Sequence, residues 1–147
     1  MKKLFARDYL ECFFDENSMV LFHVWLRKPT SQEFMDGLTS VCNEFINYKN
    51  QHGTLLNWLG DTRNVGVLSI EVQGWLEKVW NEMLFVKAGV KIHAVIIGND
   101  VFAKYAMEKF KNNMNTKYAG QNLYLETFVD KEAAYKWFES IGKGKAS

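Results

Sequence analysis

The sequence has one proline, two cysteines, and no apolar run near the roughly 18 residues that a membrane span needs. With a single Pro and ten scattered Gly there is no low-complexity linker, so the chain reads as one continuous unit. Cys12 and Cys42 show no metal-ligand spacing and lie in apolar stretches, which makes them reduced, buried small hydrophobes. A Cys-His nucleophile pair would need one of them in an open electropositive site, and their surroundings argue against that. An excess of one charge is also missing. At a net charge of +1, no whole-molecule field steers the protein toward nucleic acid or an acidic membrane. Met1-Lys2-Lys3-Leu4-Phe5-Ala6-Arg7-Asp8 begins like a secretory signal, but Arg7, Asp8 and Glu11 break the apolar region too early. The expected setting is cytoplasmic. No Gly-rich phosphate loop, Ser-elbow or paired-carboxylate motif occurs, so neither a cofactor nor intrinsic enzymatic turnover is expected.

What is present is core material: 48% apolar and 15% aromatic residues. A chain of this length buries about 70% of the surface that its unfolded form exposes. The organising stretch runs from Gly53 to Val86. Thr54–Leu59 reads as a buried strand, Asp61-Thr62-Arg63-Asn64 as a turn, and Ser69 as the start of a helix. That helix places Val72, Trp75, Leu76, Val79, Trp80 and Met83 on one face. A strand, a polar turn and a helix form the half-unit of a parallel α/β sheet, whose sites lie at the carboxyl ends of the strands.

The same reading extends along the chain. Tyr9–Phe14 and Met19–Leu26 form a hairpin around Asp15-Glu16-Asn17-Ser18, the first strand suiting a sheet edge and the second buried on both faces. Thr30 with Glu33 is a capping box opening a helix with Phe34, Leu38, Val41, Cys42, Phe45 and Ile46 inward. Ala88-Gly89 ends the central helix, and Ile92–Ile97 is the clearest strand. Gly98-Asn99-Asp100 caps a third helix with Phe102, Ala103, Ala106, Met107 and Phe110 inward. A polar connection, Asn112–Gln121, leads to the strand Leu123–Val129. Asp130 then caps a last helix closed by Gly142. The expected fold class is α/β: a single layered domain over 1–142, with 143–147 a disordered basic tail. Its sheet is five-stranded and mostly parallel with an antiparallel edge strand, in the order β-β-α-β-α-β-α-β-α.

From Tyr9 to Ile141 this pattern resembles the STAS-like domains, whose founding members are bacterial anti-sigma-factor antagonists, and among them small bacterial proteins of that fold. The matching features are the leading hairpin, Asp61-Thr62-Arg63, Leu68-Ser69-x-Glu71-x-Gln73-x-Trp75-Leu76, Gly89-Val90-Lys91-x-x-Ala94-Val95 and Ala133-x-x-x-Trp137-Phe138. The resemblance implies a non-catalytic regulatory or protein-interaction module, with Thr62 after Asp61 at the place where a partner kinase phosphorylates the signalling members.

Read on their own chemistry, Asp61, Thr62 and Arg63 form either a switch or anion site, or a loop-fixing cluster in which Asp61 accepts its own turn's amides and pairs with Arg63. His23, His52 and His93 have no carboxylate or Cys at ligand spacing, so no metal is expected and core or sheet-face positions account for them. Lys104, Lys109, Lys111 and Lys117 form a solvated face rather than a nucleic-acid surface. Trp75, Val79, Trp80 and Met83 supply more apolar area than one stripe needs. That excess marks a protein interface, here a homodimer, or a small apolar pocket; a wide buried face under the sheet is the plainer account. A second functional reading follows, a carrier of a small apolar or lipid-like ligand between the second and third helices and the sheet.

Overall fold

The computed structural model describes residues 1–53, 55–98, 101–118, 120 and 122–146, with the backbone alone at 101–103 and 142–146. Six strands lie side by side in chain order: β1 (Lys2–Arg7), β2 (Leu10–Asp15), β3 (Val20–Trp25), β4 (Asn57–Asp61), β5 (Ile92–Ile96) and β6 (Tyr124–Phe128). β1, β2 and β3 pair antiparallel, while β3 through β6 are parallel. The fold class α/β holds, but the sheet has six strands where five were expected. The missed strand is the charged N-terminal segment. Its Lys2, Lys3 and Arg7 conceal the extended backbone from an apolar-pattern reading, and a register shift between Lys3 and Phe5 breaks the alternation. Tyr9–Phe14 is therefore not the edge. β1 is, and the added cations and bulge are common ways to protect an edge from further pairing.

Four helical elements cover the sheet: α1 (Ser31–His52), α2 (Ile70–Trp75, continued by two π-helical turns at Leu76–Trp80 and Met83–Lys87), α3 (Val101–Lys117) and α4 (Lys131–Ala146). The α1 capping box is present, Thr30 accepting from the Glu33 amide and the Glu33 carboxylate accepting from the Thr30 amide. Ser69 caps α2 by accepting from the Val72 amide. The cap expected at Asn99-Asp100 lies outside the described residues, as do the side chains of Phe102 and Ala103. Ala106, expected inward, is exposed. α3 also runs through most of the expected connection to Lys117, and buries Met114. α4 continues past Gly142 to Ala146.

Alternation along the parallel strands divides the core. Leu21, Trp25 and Trp58 pack with Phe34, Val41 and Phe45 of α1 and with Trp80 and Leu84 of α2. On the opposite face, Val20, Phe22, Leu59, Ala94 and Ile96 pack with Ala134 and Phe138 of α4. Gly37 of α1 and Gly60 of β4 are close-approach glycines: a Cβ at Gly37 would lie 2.8 Å from Leu10, and one at Gly60 would lie 2.6 Å from the His23 ring.

Candidate functional site

The strand before the Asp61 turn starts and ends later than its apolar run suggests, so Asp61 is the last residue of β4 rather than part of the turn. Its register partners are Val24 and Ile96, and it is buried. Burying a carboxylate there requires a strong answer, and Arg63 supplies it. Its guanidinium donates from Nε at 3.0 and 3.2 Å and from Nη2 at 2.6 Å, and its amide donates to Oδ1 at 3.2 Å. Those bonds, with the Asp61 charge, push the Arg63 pKa upward. Thr62 sits between them, half-buried, and donates both its amide and its hydroxyl to the Ile96 carbonyl at 2.9 Å. Asn64 donates to the Trp25 carbonyl at 3.0 Å, tying the turn to β3.

This base is locked; what stands on it is open. Past Gly66, Val67 is 74% exposed and Ile70 is 88% exposed. The Ser31 and Ser69 hydroxyls lie 2.9 Å apart, joining the starts of α1 and α2 at the same carboxyl edge of the sheet. Sequence reasoning passed over Val67 and Ile70. The available signal was Ile70 directly after a Ser cap and off the helix's apolar stripe.

The structure keeps the other candidates apart from this edge. His23 and His93 lie on the opposite face, each set edge-on against Trp58 at 5.3 and 5.9 Å between ring centroids. Burial pushes both well down, to about 3; the Asp61 charge opposes this at His23, and His23 adds to it at His93. Each therefore stays a neutral imidazole, with an Nδ1 that has no hydrogen-bond partner among the described residues. His52 lies at the end of α1 against the Tyr48 carbonyl. Among the described residues no three His, Cys, Asp or Glu side chains cluster to hold a metal ion. Burial raises the Cys12 thiol to about 12, with Glu44 adding to it, and the Cys42 thiol to about 11, so neither supplies thiolate. No helix among the described residues is long and apolar enough to cross a membrane.

Against known proteins, the chain matches no protein-family model, no curated protein and no solved structure.

The α2 residues split. Trp80 is buried against Trp58 at 5.7 Å, and half-buried Trp75 stacks on Trp80 at 5.7 Å. Val79, expected on the inner stripe, is 45% exposed. The cause is the π-helical backbone. Asn81 donates to Leu76 and Ala88 to Met83, five residues back in each case, and each such turn shifts the side chains that follow it around the axis. Val79 and Met83 instead line an open groove of about 470 Å³ against Asn43 and Ile46 of α1, a different place from the pocket expected under the second and third helices. Lys111 of α3 pairs with Glu126 at 3.1 Å, and Lys117 lies over the Tyr118 ring.

Proposed function

We propose that the protein is a non-catalytic regulatory or protein-interaction module of the STAS-like type, acting in the cytoplasm, whose protein partner meets the carboxyl edge of the sheet. One observation carries this reading: two large aliphatic side chains, Val67 on the loop and Ile70 at the first position of α2, are held in solvent above a base locked by the Asp61–Arg63 pair and by Thr62 on the Ile96 carbonyl. A rigid base with an apolar tip limits the ordering cost of binding and offers anchors to a partner. The groups at this edge are already engaged. The Thr62 hydroxyl is committed as a donor and the Asp61 carboxylate is taken by Arg63, an arrangement suited to presenting a surface rather than activating a nucleophile.

Paired Val67→Asp and Ile70→Asp substitutions test this. Both sites are exposed, so thermal unfolding should stay close to wild type. Proteins retained by the immobilised wild-type chain from its own host's extract, identified by mass spectrometry, should be lost from the double variant. An unchanged retained set rejects the edge as the contact.

A second reading, the apolar-ligand carrier, draws on the groove where Ile46, Val79 and Met83 lie among Asn43, Lys78, Glu82 and Lys87. Native mass spectrometry of freshly purified protein would show its ligand as a co-purifying adduct.

A further inference from the structure

The outer side of α2 carries a row that makes no ion pair or side-chain hydrogen bond among the described residues, although Lys78 and Glu82 also border the α1–α2 groove. Every fourth residue from Gly74, namely Gly74, Lys78, Glu82 and Val86, is exposed or half-exposed, while Val72, Trp80, Leu84 and Phe85 fill the core. In a pure α-helix, at about 3.6 residues per turn, such a row would wind away around the axis. Here the π-helical turns take in more residues than an α-turn, and the row stays on one side.

The row's chemistry is unsatisfied within the protomer. Lys78 and Glu82 are four positions apart, yet neither has an ion-pair partner among the described residues, whereas Glu132 and Lys136 of α4, at the same spacing, are paired at 3.4 Å. A Cβ added at Gly74 would meet nothing within 4 Å. Val86 is 59% exposed, and Val79 stands beside the row with Met83 at the rim of the α1–α2 groove.

We propose that the chain forms an isologous homodimer in which α2 crosses the same helix of a second copy antiparallel, about a two-fold axis passing beside Trp80. Positions 74 and 86, and positions 78 and 82, lie equally far on either side of 80. The axis therefore sets Lys78 against Glu82 of the partner subunit, twice, and Val86 over the bare backbone of Gly74 of the partner subunit, twice. The row is its own complement in charge and in shape, which is what an isologous contact requires. Val79 and Met83 close the flank over the groove. A contact of one helix per protomer is at the small end of specific interfaces, so the dimer depends on concentration. It stands apart from the carboxyl-edge reading, which survives if the dimer fails.

Sedimentation equilibrium over the micromolar range tests it. The wild-type mass should rise from 17.1 kDa toward twice that value. K78E and E82K should each weaken self-association about tenfold, because like charges then face each other at both ends of the axis. An equimolar mixture of the two variants should associate as tightly as wild type, since the heterodimer restores both opposite-charge pairs. G74W, at a position where an added Cβ meets nothing within 4 Å, should also block association. Circular dichroism on each variant should show an unchanged fold. The proposal is overturned by a wild-type mass of 17.1 kDa throughout, by single reversals that dimerise like wild type, or by a mixture no tighter than its components. A monomer carrying an apolar adduct in native mass spectrometry overturns it as well.

Discussion

The two faces of the sheet bury polar groups by opposite means. Beneath α4, two carboxylates have partners: buried Asp61 is held by Arg63, and half-buried Asp15 accepts from the Tyr135 hydroxyl at 2.9 Å. Beneath α1 and α2, His23, His93 and Trp25 have ring nitrogens with no hydrogen-bond partner among the described residues, set within a lattice of aromatic rings. One face keeps a charge by pairing it, and the other tolerates polar atoms by keeping them neutral. Pairing leaves a face vulnerable to loss of the partner; neutrality leaves it vulnerable to protons.

Acid should therefore expose the contrast most strongly. Unfolded, each imidazole takes up a proton near its ordinary 6.5, whereas in the fold uptake waits until about 3. Between those values the unfolded chain binds protons that the native chain does not, so stability is highest above pH 6.5 and falls as pH drops toward 3. With two such groups the loss between pH 6.5 and pH 4 should approach roughly 6 kcal/mol. Urea unfolding at stepped pH measures it, and His23→Leu with His93→Leu should flatten the slope. A steep acid slope that remains in the double variant would place the sensitive groups elsewhere.

Trp58→Ala comes next, at about 3–5 kcal/mol, because this indole fills the space between the two histidines and touches Phe45 and Trp80. Chemical denaturation reads it directly, and a loss below about 1 kcal/mol would mean that the aromatic lattice collapses around the gap. On the other face, Arg63→Ala should cost about 2 kcal/mol. It strips the charge-assisted bonds from a buried carboxylate, and the half-exposed guanidinium keeps the loss below that of a fully buried pair. Adding Asp61→Asn should recover part of it by removing the charge. No recovery would show that Arg63 acts through the backbone of the turn instead.

Much of this architecture is legible in apolar periodicity. The capping box at Thr30, the Ser69 cap, the continuous apolar run of β5 and the stripe of α1 all follow from local rules that tertiary packing leaves intact. Three features do not. β1 is charged, because an edge strand needs protection more than it needs burial. The π-helical turns of α2 leave no periodic mark, since Val79 sits at the spacing of an inner stripe and only the backbone hydrogen bonds move it outward. Asp61 reads as a turn residue by type, and only its pairing with Arg63 allows it to end a buried strand. At the candidate site, sequence shows the charged turn but not the exposed aliphatic pair above it.

The sheet order has a consequence for how the molecule comes into being. Because β1 through β6 lie across the sheet in the order in which they are synthesised, each strand after the first has the one made just before it as a sheet neighbour. The β1–β2–β3 meander needs only short loop closures, and every later crossover docks onto an edge that already exists. A growing chain can thus assemble its sheet from the N-terminus outward, one strand at a time. No strand waits for a later one to find its place.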